Sequence, residues 1–228
     1  MTDTEKTAWD KIRDFFITRI IPPTDELQRL FPDSILFGAL ILYLLTSNMA
    51  FGVFSVFLTE TAIIHKLIGF IFEKSVGKPS TPAKHLKCHI GFRVPRLDFE
   101  RILSTDTYPS TGIFSMSAIA VYLGAAMTSF NETLATMGAD WEVRYNVAIG
   151  FIVAVLGLFV ITRYARSCDS GGEIAVALLF GSIVGIGLYA LNKGMFGIEG
   201  MNFLGLPYLV NKDETEKPIY VCTPSTAG

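Results

Sequence analysis

Four stretches of the chain lack charged side chains for long enough to form a membrane-length helix. Residues 34–59 run 26 positions without Asp, Glu, Lys or Arg, residues 112–130 run 19, residues 145–162 run 18 and residues 174–192 run 19. A hydrocarbon core about 30 Å thick asks for roughly 20 mostly apolar residues of helix. The pattern therefore predicts an all-α fold, a polytopic transmembrane bundle of about four spans, and an integral, multi-pass membrane location. Upstream, Trp9, Ile12, Phe16 and Ile20 recur every three or four positions, and Lys6, Asp10, Lys11, Arg13 and Asp14 fill much of the rest. An apolar stripe beside a charged face predicts an N-terminal amphipathic helix in the headgroup boundary. Pro22-Pro23 ends it, since the second proline disfavours helical geometry at the first.

The first apolar run admits two readings. In the preferred one, 34–59 is a single tilted crossing and residues 61–72 form a surface helix. In the other, the crossing starts after Ser47-Asn48 and continues to Phe72. The choice reverses the side on which the N-terminus lies. A polar loop follows over 73–111, opened by the breakers Gly77, Pro79 and Pro82. The hairpin 131–144 ends in Trp141, which with Tyr145 suits an interfacial aromatic belt. Ser170-Gly171-Gly172-Glu173 has the spacing of a capping box opening the last span. Within that span Ala177, Gly181 and Gly185 recur every four positions, which lets two helix backbones approach closely. This predicts that the last three spans pack on one another with the small-residue face buried. The organisation expected is an N-terminal segment 1–33, a bundle 34–198 and a C-terminal tail 199–228.

Composition adds exclusions. The chain is 50% hydrophobic with net charge −2, so no basic field argues for nucleic acid. Membrane lipids and other membrane or assembly proteins are the expected partners, and no cofactor or metal is implied. Cys88, Cys168 and Cys222 are odd in number and irregularly spaced, which signals neither a disulfide framework nor a zinc site. Lys and Arg divide almost evenly between the two sides, so the positive-inside rule does not orient the bundle. With the spans free of charge, a channel or transporter is disfavoured.

Counting crossings brings Lys87, Arg93, Arg96, Ser110, Arg163 and Arg166 to one face, at the ends of spans. Cations and a serine at helix starts could cradle a phosphate; equally, such cations snorkel to lipid phosphates. In this region the chain resembles the type 2 phosphatidic acid phosphatases, which are membrane-embedded lipid phosphatases. Lys87 followed by Arg93-Val94-Pro95-Arg96 is similar to their first motif. Pro109-Ser110-Thr111-Gly112 is similar to the second, and Thr162-Arg163 with Asp169 and Glu173 keeps the spacing of the third. The resemblance spans roughly Lys84 to Asn192. It implies that one histidine attacks phosphorus and another protonates the leaving group. Those positions hold Asp169 and Gly112 here, and glycine transfers no proton.

No catalytic residue is therefore assigned. The resemblance implies an inactive, phosphatase-like membrane protein with a structural or scaffolding role, and some residual lipid-phosphate binding at the six named residues. In that reading Asp169 and Glu173 are candidate internal partners for Arg163. The alternatives are an active lipid phosphatase with a relocated catalytic residue, such as His85 or His89, and a purely structural protein of a larger assembly, for instance a membrane under a protein shell.

Overall fold

The computed structural model describes residues 14–20, 22–23, 30–76, 88, 108–131 and 139–203. A short π-helical turn, Phe16–Ile20, precedes five α-helices: α1 Asp33–Thr46, α2 Met49–Val76, α3 Thr111–Thr128, α4 Ala139–Ala165 and α5 Gly171–Phe196; a 3₁₀ turn, Glu199–Met201, follows. Among the described residues the fold is all-helical. Four helices, α2 to α5, are long and apolar enough to cross a membrane. Of the amphipathic N-terminal helix, residues 4–13 lie outside the described residues.

The run 34–59 is not one helix. It breaks at Ser47-Asn48, which corrects the preferred reading of a crossing over 34–59. Ser47 adopts a left-handed conformation with φ 52° and donates its N–H to the Tyr43 carbonyl. The Asn48 side-chain oxygen then accepts from the Ala50 N–H at 3.0 Å. One residue ends α1 and the next opens α2, each satisfying backbone groups that a helix end leaves bare. Gly52 lets the two arms close: a Cβ there would meet the Tyr43 ring at 3.1 Å. With 14 residues α1 is about 21 Å long and too short for a crossing. The 28 residues of α2 reach about 42 Å, and the expected surface helix 61–72 is its second half. Glu60, His65 and Lys66 therefore lie inside a membrane-length helix, and the expectation of charge-free spans does not hold for α2.

α3 is the central element, with 61% of its apolar window buried, against 11% for α4. Its main partner is α5. A Cβ on Gly181 would collide with the Phe114 carbonyl oxygen, and one on Gly185 would lie 2.6 Å from the Ala118 carbonyl oxygen. Ser117 Oγ reaches across the same seam to the Leu178 carbonyl at 3.0 Å and to Ser182 Oγ at 2.9 Å. The buried Ala177, Gly181 and Gly185 stripe is thus the α3–α5 contact, as small-residue packing between apolar helices requires. α4 packs on α3 but makes at most marginal contact with α5, so the last three spans do not all pack on one another. Val147, Phe151 and Ile161 of α4 face outward.

Residues 199–203, assigned from the sequence to a C-terminal tail, close the bottom of the core instead. Met201 is fully buried, its sulfur 3.6 Å from the Tyr122 hydroxyl. Tyr122 stacks on Phe57 at 3.9 Å between ring centres, and Phe203 meets Phe54 edge-on at 5.6 Å. The apolar and aromatic side chains at these positions, Met201 and Phe203, pack into the core, which the tail reading did not place there. Residues 204–228 lie outside the described residues.

Candidate functional site

The site lies where α4 ends, α5 begins and α3 begins. After Ala165 the chain turns back on itself. The Arg166 N–H still reaches the Thr162 carbonyl, the Ser167 N–H reaches Tyr164, and the Cys168 N–H reaches Arg163 at 3.0 Å. Ser167 takes φ 53°, a left-handed conformation that reverses the direction. This tight turn brings Asp169 back over Arg163, six residues earlier.

Arg163 and Asp169 form a salt bridge through Nε and Oδ2, and both side chains are buried. Ser110 Oγ donates to the same carboxylate oxygen at 2.9 Å. Ser110 is itself buried and carries no cap hydrogen bond to α3. Ser110 holds the N-cap position of α3, but its hydroxyl serves Asp169 rather than the helix N-terminus. Arg163 also donates from a terminal nitrogen to the Cys88 carbonyl at 3.4 Å. A buried guanidinium is tolerated only when its charge is matched and its donors are occupied, and Asp169 supplies the charge here.

Glu173, the other carboxylate proposed for Arg163, does something else. Its side chain accepts from the Ser170 N–H at 2.7 Å, and its own N–H donates to Ser170 Oγ at 3.3 Å. It closes the capping box of α5, as the spacing foretold. Arg166 is exposed on the same face. Lys87, Arg93 and Arg96 lie outside the described residues, as do His85 and His89. Of the six candidate anion-binding residues, the structure therefore brings Ser110 and Arg163 together, and it does so around a carboxylate.

Two further features join the node that the sequence did not single out. Cys88 and Cys168 form a disulfide, with Cα atoms 5.4 Å apart. The number and spacing of the cysteines did not signal this pair: the partners are 80 positions apart, and only the folded chain brings them together. The bond ties the loop before α3 to the α4–α5 turn, directly beside Asp169. Removing it frees a long loop, which in a chain-entropy account costs up to about 4 kcal/mol. Joint replacement of Cys88 and Cys168 by serine is thus expected to lower the unfolding midpoint in detergent. Reductant should lower the wild type equally and leave the double variant unmoved.

His65 of α2 is the second. It is buried, packs on the Phe114 ring at 4.8 Å, and its Nε2 lies 2.8 Å from the Pro109 carbonyl oxygen. A carbonyl only accepts, so Nε2 carries the proton. The contact ties α2 to the residue preceding Ser110. Recognising the Ser47-Asn48 turn would have placed His65 within a crossing helix and marked it as a buried polar group in need of a partner. Among the described residues no group of three or more His, Cys, Asp or Glu side chains is placed to hold a metal ion. Comparison with protein-family models, with curated proteins and with solved structures gives no match for this chain.

Proposed function

We propose that the chain is a four-span integral membrane protein whose work is structural rather than catalytic, resembling a lipid phosphatase that has lost its chemistry. The observation that carries this reading is the placement of Asp169. Its carboxylate receives Arg163 and Ser110 together, in the position where the resembled enzymes require a nucleophilic histidine facing a substrate phosphate. An anion supplied by the chain itself occupies the arginine. A phosphate competing for the same guanidinium meets the negative charge of Asp169. The node then acts as a clamp joining α3, α4, α5 and the loop that carries Cys88, and lipid-phosphate binding through Arg163 is not part of its role.

The disulfide supports an orientation that the Lys and Arg counts leave open. Disulfides persist in oxidising compartments and are rare where thiol reductants dominate. The face carrying Cys88, Ser110 and the 166–170 turn therefore looks away from the reducing cytosol. The α1–α2 turn, the 128–131 end of α3 and residues 197–203 look towards it.

The functional reading is tested with purified protein in micelles containing phosphatidic acid. Phosphate release no higher than in protein-free micelles is the expected outcome. Turnover that co-purifies with the protein and disappears in Asp169→Asn, which retains an oxygen for Arg163 and Ser110, would overturn it. Turnover lost instead in His65→Gln would favour an active phosphatase with a relocated residue.

A further inference from the structure

The two ends of α1 lie at opposite faces of the bundle. Its C-terminal end is the Ser47-Asn48 turn. Just beyond that turn, the Phe51 ring meets the Phe203 ring at 6.4 Å, and a Cβ on Gly200 would lie 3.3 Å from Val53. The turn therefore sits beside the residues that follow α5, on the face opposite the disulfide. From there α1 runs back along α2. The Tyr43 ring lies against Gly52, and Leu36, two turns earlier in the chain, lines the same open groove as Thr59 and Glu60. Counted equally from the turn, Phe31 comes level with Ile64, next to His65.

Two contacts place that level at the disulfide face. His65 Nε2 lies 2.8 Å from the carbonyl of Pro109, which directly precedes Ser110, and Ser110 bonds Asp169 beside the disulfide. Phe31 is buried, and its ring meets that of Phe159 at 5.3 Å. Phe159 stands one turn before Arg163 on α4. The chain thus enters α1 near the disulfide face and leaves it at the other.

The 14 residues of α1 cover only about 21 Å of this path, against a hydrocarbon core about 30 Å thick. Its uncharged stretch is bounded by Asp33 at one end and by Ser47-Asn48 at the other. Between them Phe37, Ile41, Leu44 and Leu45 face outward, where a membrane offers them lipid tails. An apolar segment shorter than the bilayer is matched by a local thinning of the bilayer. On α4, by contrast, 27 helical residues reach about 40 Å, so that helix asks for no thinning.

We propose that α1 is a fifth, short traverse beside the four long spans, and that its outward face is a contact surface for phospholipids with short acyl chains. The residues before α1 then emerge on the opposite side of the membrane from those after α5. Four long spans alone would put both on one side. The claim concerns relative sidedness, so it holds whichever face looks towards the cytosol. It rests on the reading of the chain as an integral membrane protein, which retention in vesicles through a carbonate wash checks separately.

The test of sidedness uses full-length Thr2→Cys protein, which also carries Cys222 near the C-terminus, in sealed phosphatidylcholine vesicles. A membrane-impermeant maleimide is added and the protein is weighed intact. Cys88 and Cys168 are joined and do not react. Opposite sides give one label on every molecule, whichever way it has inserted, and detergent raises all of them to two. Doubly labelled molecules alongside unlabelled ones, before detergent, would overturn the proposal. The lipid contact is tested with Trp9 and Trp141 replaced by phenylalanine and a single reporter introduced as Phe37→Trp on α1 or Phe151→Trp on α4, both outward-facing positions. The vesicles mix brominated 14-carbon with unbrominated 22-carbon phosphatidylcholine. The α1 reporter is expected to see the 14-carbon lipid enriched roughly threefold over the bulk mixture, the scale of a mismatch costing a fraction of a kcal/mol per Å. The α4 reporter should show no such enrichment. Equal quenching at the two positions would show that α1 does not thin the membrane, and would overturn the short-chain contact surface.

Discussion

Asp169→Ala should be among the most damaging single substitutions in this protein, lowering folding stability by about 3–5 kcal/mol, the loss seen when one partner of a buried ion pair is removed. The reason is Arg163. Its guanidinium is buried, and its Nε and the Ser110 hydroxyl both donate to Asp169 Oδ2. Removing the carboxylate leaves a buried cation without its counter-charge and a buried hydroxyl without its acceptor. Unfolding followed by loss of helical signal in detergent would measure the effect. Asp169→Asn should cost less, since an amide oxygen still accepts. Replacing Arg163 and Asp169 together by leucine should also cost less than Asp169→Ala alone, because it removes the charge along with its partner. A double variant as unstable as Asp169→Ala would show that packing around the turn, and not charge matching, holds the node.

Gly181→Leu is expected to be of similar size for an unrelated reason. No side chain fits at this position: even a Cβ would overlap the Phe114 carbonyl oxygen and touch Ser117 Cβ at 3.0 Å. The obstacle is backbone, which does not move aside as the end of a flexible side chain can. α3 and α5 would have to separate, breaking the Ser117 bonds to Leu178 and Ser182. Overpacking commonly costs 1–3 kcal/mol, and a collision with backbone belongs at about the top of that range. A control lies six residues along the same helix. Gly187 has nothing within 4 Å of an added Cβ, so Gly187→Ala should leave the melting temperature in detergent almost unchanged while Gly181→Leu lowers it clearly. Equal melting temperatures for the two variants would remove the close-packing account of the α3–α5 seam.

The helical class, the last three long apolar helices and the small-residue stripe on α5 were legible in the sequence, because each rests on local composition or on a spacing of three or four residues. So was the capping box at Ser170 and Glu173, since its partners are three positions apart. The convergence of Ser110 with Arg163 followed from counting crossings, which places span ends on faces without any knowledge of packing. The break at Ser47-Asn48 was present as a turn signal, but an uninterrupted apolar run outweighed it. That choice hid the depth of Glu60 and His65.

What remained belongs to the tertiary structure. Pairing of Cys88 with Cys168, and of His65 with the Pro109 carbonyl, joins positions 80 and 44 residues apart; no local pattern encodes such contacts. The division of labour between Asp169 and Glu173 was equally out of reach. Both are acids near the start of α5, and the left-handed turn at Ser167 decides which of them returns to Arg163. The hydrogen bond from Asn192 to Glu60 likewise joins α5 to α2 across 132 residues of sequence. Periodicity along one helix determines which face is apolar, whereas the identity of a buried charge's partner depends on where several helices end relative to one another.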